Sequence, residues 1–135
     1  MLEEKKITIK VPASTGNVGP GFDCIGLAVD IWNKVTIEKS DGAFEILNQG
    51  ISKEKYDSIP IKENLITKGI LLACPEIDLN KFKIISENNI PFAGGLGSSA
   101  ASISAGLIIG NHLSGNKLNN DDLMQMAIAM EGHPD

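Results

Sequence analysis

PFAGGLGSSAA, residues 91–101, is a glycine-rich loop that runs directly into a stretch of small and apolar residues. Glycines let a backbone approach a phosphate closely, and the first amides of a helix have no partners within that helix. The helix dipole adds roughly half a positive charge at the same place. The segment therefore predicts a phosphate site at a helix N-terminus. Its candidate residues are Pro91, Phe92, Ala93, Gly94, Gly95, Leu96, Gly97, Ser98, Ser99, Ala100 and Ala101.

This loop matches neither of the two common nucleotide fingerprints. It lacks the Gly-Lys-Ser/Thr of a Walker A loop, and it is not a GxGxxG sequence. The hydroxyls of Ser98 and Ser99 could serve phosphate oxygens or a magnesium ion. The alternative is a tight turn with a serine cap and small residues for close helix packing, and the loop alone leaves it open.

A second loop, PASTGNVGPGFD at residues 12–23, combines prolines and glycines with small polar side chains. Asn17 and Asp23 are its side chains with directional polar chemistry, and a carboxylate and an amide on such a loop can orient a hydroxyl or an amine. The alternative is that Asn17 adopts a left-handed turn conformation and Asp23 caps a turn or helix. Both interpretations remain open on the residues alone.

The segment EGHPD, residues 131–135, places two acids and a histidine just beyond a predicted helix. Magnesium prefers one or two carboxylates together with phosphate and water, so Glu131 is a candidate ligand and His133 a candidate substrate contact. A solvent-exposed helix end terminated by glycine and proline is the alternative.

Hydrophobic periodicity predicts an α+β fold in which several strands come first and helices pack on one face. Alternating apolar residues predict strands at 7–11, 27–39, 44–47 and 82–86. Spacings of three and four predict a helix over 62–74, and nearly continuous small and apolar residues predict a buried helix over 98–113. A last helix begins after Asn119 or Asn120 as cap, with Asp121 and Asp122 at its positive end.

Length and charge argue against several classes of function and partner. A chain of 135 residues has the length of one domain, and no segment is apolar enough to span a membrane. The net charge of −5 argues against nucleic acid or an anionic membrane as partner, and all twelve basic residues are lysine. No secretory signal is visible, so we expect a cytoplasmic protein. Cys24 and Cys74 have no metal-ligand spacing and are interpreted as small buried hydrophobes.

The order of the three motifs resembles that of the homoserine kinases, a family of the GHMP small-molecule kinase superfamily. VPASTGNVGPGFDCIGLAVDIWN is similar to the family's substrate motif, PFAGGLGSSAAS to its phosphate motif, and EGHPD to the start of its third motif. The resemblance implies the GHMP N-terminal domain fold, like ribosomal protein S5 domain 2, with an antiparallel-rich sheet. It also implies ATP and Mg²⁺ as cofactors and L-homoserine as the small-molecule substrate, phosphorylated for threonine biosynthesis.

Carried over by motif, the resemblance assigns roles to single residues. Residues 91–101 would surround the ATP phosphates, and Ser99, with Ser98 as a second candidate, would share magnesium with Glu131. Asn17, Asp23 and His133 would contact homoserine. Asp135 stands where mevalonate kinases have a catalytic base, which homoserine kinases are often thought to lack.

Family members are roughly twice as long as this chain. We therefore expect residues 1–135 to be a GHMP N-terminal domain without its C-terminal domain, inactive when isolated. Three alternative functions remain open: another GHMP kinase such as a mevalonate kinase, a non-catalytic nucleotide-binding fragment, and an interaction domain in which GLGSS only starts a helix. A homodimer also remains open.

Overall fold

A four-stranded sheet forms one layer of the computed structural model, which describes residues 6–15, 27–92 and 95–132. Its strands are β1 (Lys6–Thr15), β2 (Leu27–Lys39), β3 (Glu45–Gly50) and β4 (Phe82–Asn88), in the spatial order β1-β2-β4-β3. The β1/β2 and β2/β4 pairs are antiparallel, and β3/β4 is parallel. The predicted α+β class and antiparallel-rich sheet are confirmed, with one parallel pair at the edge.

The helices are α1 (Lys53–Asp57), α2 (Leu65–Ala73), α3 (Ser98–Leu113) and α4 (Asn120–Glu131), with short 3₁₀ turns at Ile61–Glu63 and Leu79–Lys81. The bounds predicted for β2 and α3 are confirmed. Helix α2 starts later than predicted because the Asn64 side chain accepts the Ile66 amide at 2.8 Å and caps the helix there. Strand β3 begins one residue later and ends three residues later than predicted, and β4 extends two residues further.

The main core lies between one face of the sheet and the pair α2 and α3. A row of four isoleucines crosses this face from strand to strand, because the strand registers align Ile7, Ile37, Ile84 and Ile46. Ile70 of α2 and Ile109 of α3 pack against them and are fully buried. Among the described residues, no helix has both the length and the apolar character that a bilayer span requires.

Helix α4 packs on α3 and is fixed at its start by a reciprocal cap. The Asn119 side chain accepts the Asp122 amide at 2.8 Å, and the Asp122 carboxylate accepts the Asn119 amide at 3.1 Å. Leu123 and Met130 of α4 contact the small apolar cluster formed by Ala73, Ile103 and Leu107. The cap and this cluster together set the position of Glu131 at the far end of α4.

Replacing Asn119 with alanine is expected to lower the free energy of unfolding by about 1 kcal/mol, because the Asp122 amide loses the side-chain oxygen that caps it. Urea unfolding of the full-length protein measures this loss. The neighbouring Asn120→Ala is the control. If it changes the free energy of unfolding by more than about 0.5 kcal/mol, loss of a surface asparagine rather than loss of the cap would explain the result for Asn119→Ala.

Candidate functional site

The glycine-rich loop ends at the N-terminus of α3, as the sequence predicts. Gly97 precedes the helix with φ 77° and ψ 34°, a left-handed conformation that favours glycine. The first intrahelical bond runs from the Ala101 amide to the Gly97 carbonyl at 2.9 Å. The preceding amides, including those of Ser98 and Ser99, are therefore available at the positive end of a sixteen-residue helix.

Ser99 and Glu131, the two predicted magnesium ligands, lie side by side. The Ser99 hydroxyl donates to Glu131 at 2.8 Å from Oε1 and 3.1 Å from Oε2. Glu131 is the last residue of α4, which ends at Gly132 with φ 85°. Residues distant in sequence thus place a carboxylate beside the available amides of α3. Their role in metal binding stays a prediction.

The first motif meets the glycine-rich loop at the end of β1. The Ser14 amide donates to the Leu96 carbonyl at 2.8 Å. A methyl group on Gly97 would lie 2.7 Å from the Ser14 hydroxyl oxygen, so the two segments touch without room for a side chain. The base of the predicted substrate loop is therefore adjacent to the predicted phosphate site.

The remaining predicted site residues lie outside the described part of the chain. These are Asn17 and Asp23 of the loop at residues 12–23, Ala93 and Gly94 of the glycine-rich loop, and His133 and Asp135 after α4. Of the glycine-rich motif, Pro91, Phe92 and residues 95–101 are described.

A cavity of about 290 Å³ opens beside Ser98 and Ser99. Its walls are mostly apolar and come from α1, the start of α2, and the segment that follows β4. The Tyr56 and Phe92 rings meet edge to face with centroids 5.2 Å apart, and the Lys55 ammonium lies 5.5 Å from the Phe92 centroid. The lining residues are Tyr56, Ile59, Glu63, Asn64, Leu65, Phe92, Ser98, Ser99 and Ser102.

Tyr56 is a functional candidate that the periodicity analysis did not identify. It is 7% exposed, and burial raises the pKa of its phenol against the opposing effect of the Ser98 and Ser102 hydroxyls. The phenol is therefore protonated at neutral pH and able to donate a hydrogen bond. The available signal was a lone tyrosine among charged residues, in SKEKYDS at positions 52–58.

A larger cavity, of about 800 Å³, lies at the opposite ends of α2 and α3. Lys39, Lys81, Asp41 and Glu76 give it charges of both signs, and Cys74 forms part of its wall. Cys74 is buried, which confirms its interpretation as a small buried hydrophobe, while Cys24 lies outside the described residues. Burial and the Glu76 carboxylate raise the pKa of the Cys74 thiol. Within residues 6–15, 27–92 and 95–132 no cluster of three metal-binding side chains occurs.

Comparison with known proteins identifies relatives across nearly the whole chain. Residues 64–135 match the family described as GHMP kinases N terminal domain. The chain is 40% identical to the homoserine kinase of Clostridium novyi over 132 residues and 38% identical to that of Synechocystis over 131 residues. These alignments cover 96% and 95% of this chain but 43% of each relative. The chain thus spans less than half the length of these curated relatives.

Solved structures show the same similarity. The crystal structure of homoserine kinase from Cytophaga hutchinsonii superimposes with a TM-score of 0.75 at 30% identity, covering 97% of this chain and 42% of that one. Mevalonate kinase of Methanococcus jannaschii superimposes with a TM-score of 0.66 at 17% identity, covering 98% of this chain and 49% of that one. The second similarity concerns the fold alone.

Proposed function

The chain belongs to the GHMP kinase family, and on that premise we propose that it forms the nucleotide-binding part of an enzyme that phosphorylates L-homoserine with ATP. The γ-phosphoryl group would go to the side-chain hydroxyl and give O-phospho-L-homoserine for threonine biosynthesis. Membership of the family confirms the resemblance found in the motifs. Homoserine is favoured over other alcohols because relatives named homoserine kinase match this chain at 38% and 40% identity.

The observation that carries the proposal is the contact between Ser99 and Glu131 at the N-terminus of α3. A carboxylate beside the positive end of a helix needs no compensating ligand, but it would repel a phosphate bound there unless a cation lay between them. The same contact joins a hydroxyl oxygen to two carboxylate oxygens, which are the hard donors that magnesium prefers. Ser99 and Glu131 would therefore hold Mg²⁺ together with phosphate oxygens of ATP.

A cavity beside Ser98 and Ser99 offers room for part of the nucleotide. We assign its phosphates to the amides of residues 95–100 and its base to the cavity lined by Tyr56 and Phe92, because that cavity opens beside Ser98 and Ser99. Edge and face contacts with an aromatic ring suit a purine base. The protonated Tyr56 phenol supplies a hydrogen-bond donor at the same wall.

The acceptor hydroxyl is assigned to residues of the first and third motifs. Asn17, Asp23 and His133 would orient homoserine, with Asp23 facing the hydroxyl, and Asp135 is a candidate base. The short distance from Ser14 to the glycine-rich loop supports this arrangement, since it brings the base of the first loop to the phosphate site. Phosphoryl transfer depends mainly on positioning and on stabilisation of charge. Magnesium would supply that charge stabilisation when bound.

Homoserine is expected to be the preferred acceptor of the full-length protein, by about 100-fold in kcat/KM over mevalonate, since a site that pairs with a polar substrate group rejects an analogue lacking it. A coupled ADP-release assay with both alcohols in parallel measures the ratio. A preference for mevalonate would contradict homoserine as substrate and favour another GHMP kinase activity. Tight Mg-ATP binding without turnover of any alcohol would favour a binding module instead.

A further inference from the structure

Asn33 joins the middle of the sheet to the segment that leads into the glycine-rich loop. Its side chain is 2% exposed, and its Oδ1 accepts two backbone amides, those of Asn89 at 2.6 Å and Ile90 at 2.9 Å. A third hydrogen bond joins β2 to the same turn, because the Asn89 side-chain amide donates to the Trp32 carbonyl at 3.0 Å. The chain direction immediately after β4 is therefore set by one buried oxygen of β2.

The turn held by Asn33 positions Phe92, which belongs to the aromatic wall of the cavity assigned to the nucleotide base. Ile90 is fully buried against Ala13 and Ala101, so the turn is also packed against β1 and the first turn of α3. Two residues later, Phe92 meets the Tyr56 ring and lines the cavity beside Ser98 and Ser99. A shift of the turn would move Phe92 and the start of the loop together.

Tyr56, the other aromatic residue of this wall, is tied to β4 by a second set of asparagines. The Asn88 side-chain amide donates to Asn48 Oδ1 at 3.4 Å, and the Asn48 amide donates to Asp57 of α1 at 3.0 Å. Hydrogen bonds from Lys53 and Asn48 hold the pKa of the Asp57 carboxyl below its usual value, so it is ionised at neutral pH. Tyr56 precedes Asp57, and its position is fixed relative to β4 in this way.

From these contacts we propose that Asn33 is a positioning residue for nucleotide binding, which acts by fixing the turn at residues 89–90 and through it Phe92 and the glycine-rich loop. The inference rests on the proposed function. Asn33 itself lines neither the cavity nor the α3 N-terminus, and its effect passes through the two amides it accepts. This positioning role requires an acceptor oxygen on the side chain at position 33 and does not require the amide NH₂ group.

The chain offers a matched control in Asn111, at the other end of α3. Asn111 is 6% exposed, its Oδ1 accepts the Leu118 amide at 3.0 Å, and its Nδ2 donates to the Leu118 carbonyl at 3.0 Å. Asn33→Leu and Asn111→Leu each remove two hydrogen bonds between a buried asparagine side chain and the main chain. The first change lies at the turn that leads to the proposed nucleotide site, and the second lies far from that site.

Asn33→Leu is expected to raise KM for ATP by about 10-fold or more, since small displacements of binding groups are costly, and to leave KM for the alcohol unchanged. Asn33→Asp keeps the acceptor and should restore KM for ATP to within about threefold of wild type. Asn111→Leu should leave both KM values unchanged. Hydrogen exchange of the Asn89 and Ile90 amides should accelerate in Asn33→Leu alone.

Equal KM values for ATP in Asn33→Leu and Asn111→Leu would overturn the inference, as would unchanged exchange of the two amides. If Asn33→Leu does not fold, Asn33→Ser, whose shorter side chain cannot reach both amides, takes its place under the same criteria. A wild-type protein that binds no Mg-ATP would overturn the proposed function instead. In that case the exchange measurement still decides whether Asn33 fixes the turn.

Discussion

Replacing Glu131 with glutamine is expected to lower kcat of the full-length protein by about 100-fold or more, because the carboxylate that would hold magnesium against the transferring phosphates is lost. The Ser99 hydroxyl retains an acceptor in the glutamine, so the contact between α3 and α4 is preserved while the negative charge disappears. Steady-state kinetics over a range of Mg²⁺ concentrations measure the effect. The magnesium concentration at half-maximal rate should rise in the variant.

Three companion variants separate a metal-binding role of Glu131 from a structural one. Ser99→Ala is expected to lower kcat by about tenfold or more, and the double variant should fall short of the product of the two losses, because both residues serve one ion. Glu76→Gln is the matched control, since Glu76 also accepts a hydrogen bond from a neighbouring side chain but lies at the larger cavity. Full activity of Glu131→Gln at low magnesium would contradict the proposed site.

The parts of the fold that could be predicted are those governed by local pattern. Helix α3 could be bounded correctly because Gly97 interrupts the chain before a long run of small and apolar residues. The cap of α4 could be narrowed to Asn119 or Asn120 because they stand before two acids and an apolar stripe, and the structure shows that it is Asn119. Ser99 and Glu131 were selected together only through the family motifs, and the structure brings them within 2.8 Å.

Other features depend on contacts that no local pattern encodes. The parallel pairing of β3 with β4 requires a crossover through α1 and α2, and alternation in 44–47 says nothing about the partner or its direction. Helix α1 is too short and too charged to show a helical period, so Tyr56 was missed. Asn33 is one polar residue within a strand, and its importance comes from a turn 56 positions away.

Gly106→Ala is expected to lower the free energy of unfolding by about 2 kcal/mol or more, because helices α2 and α3 cross with their backbones in contact. A methyl group on Gly106 would collide with the Ile66 carbonyl oxygen and lie 3.0 Å from the Ile66 carbonyl carbon. Those atoms belong to the main chain, so no side-chain rotation relieves the overlap. Alanine gains about 1 kcal/mol in helix propensity, which offsets only part of the strain.

Gly106→Ala is also expected to change the geometry of the proposed nucleotide site. Ile66 lies two residues after Asn64, which lines the cavity and caps α2, so parting the helices moves one wall away from Ser98 and Ser99. We therefore expect KM for ATP to rise together with the loss of stability in urea unfolding. Ser104→Ala, two residues away on a half-buried face of α3, should change the free energy of unfolding by less than about 0.5 kcal/mol. Equal stability of Gly106→Ala and wild type would contradict backbone contact as the feature that joins α2 to α3.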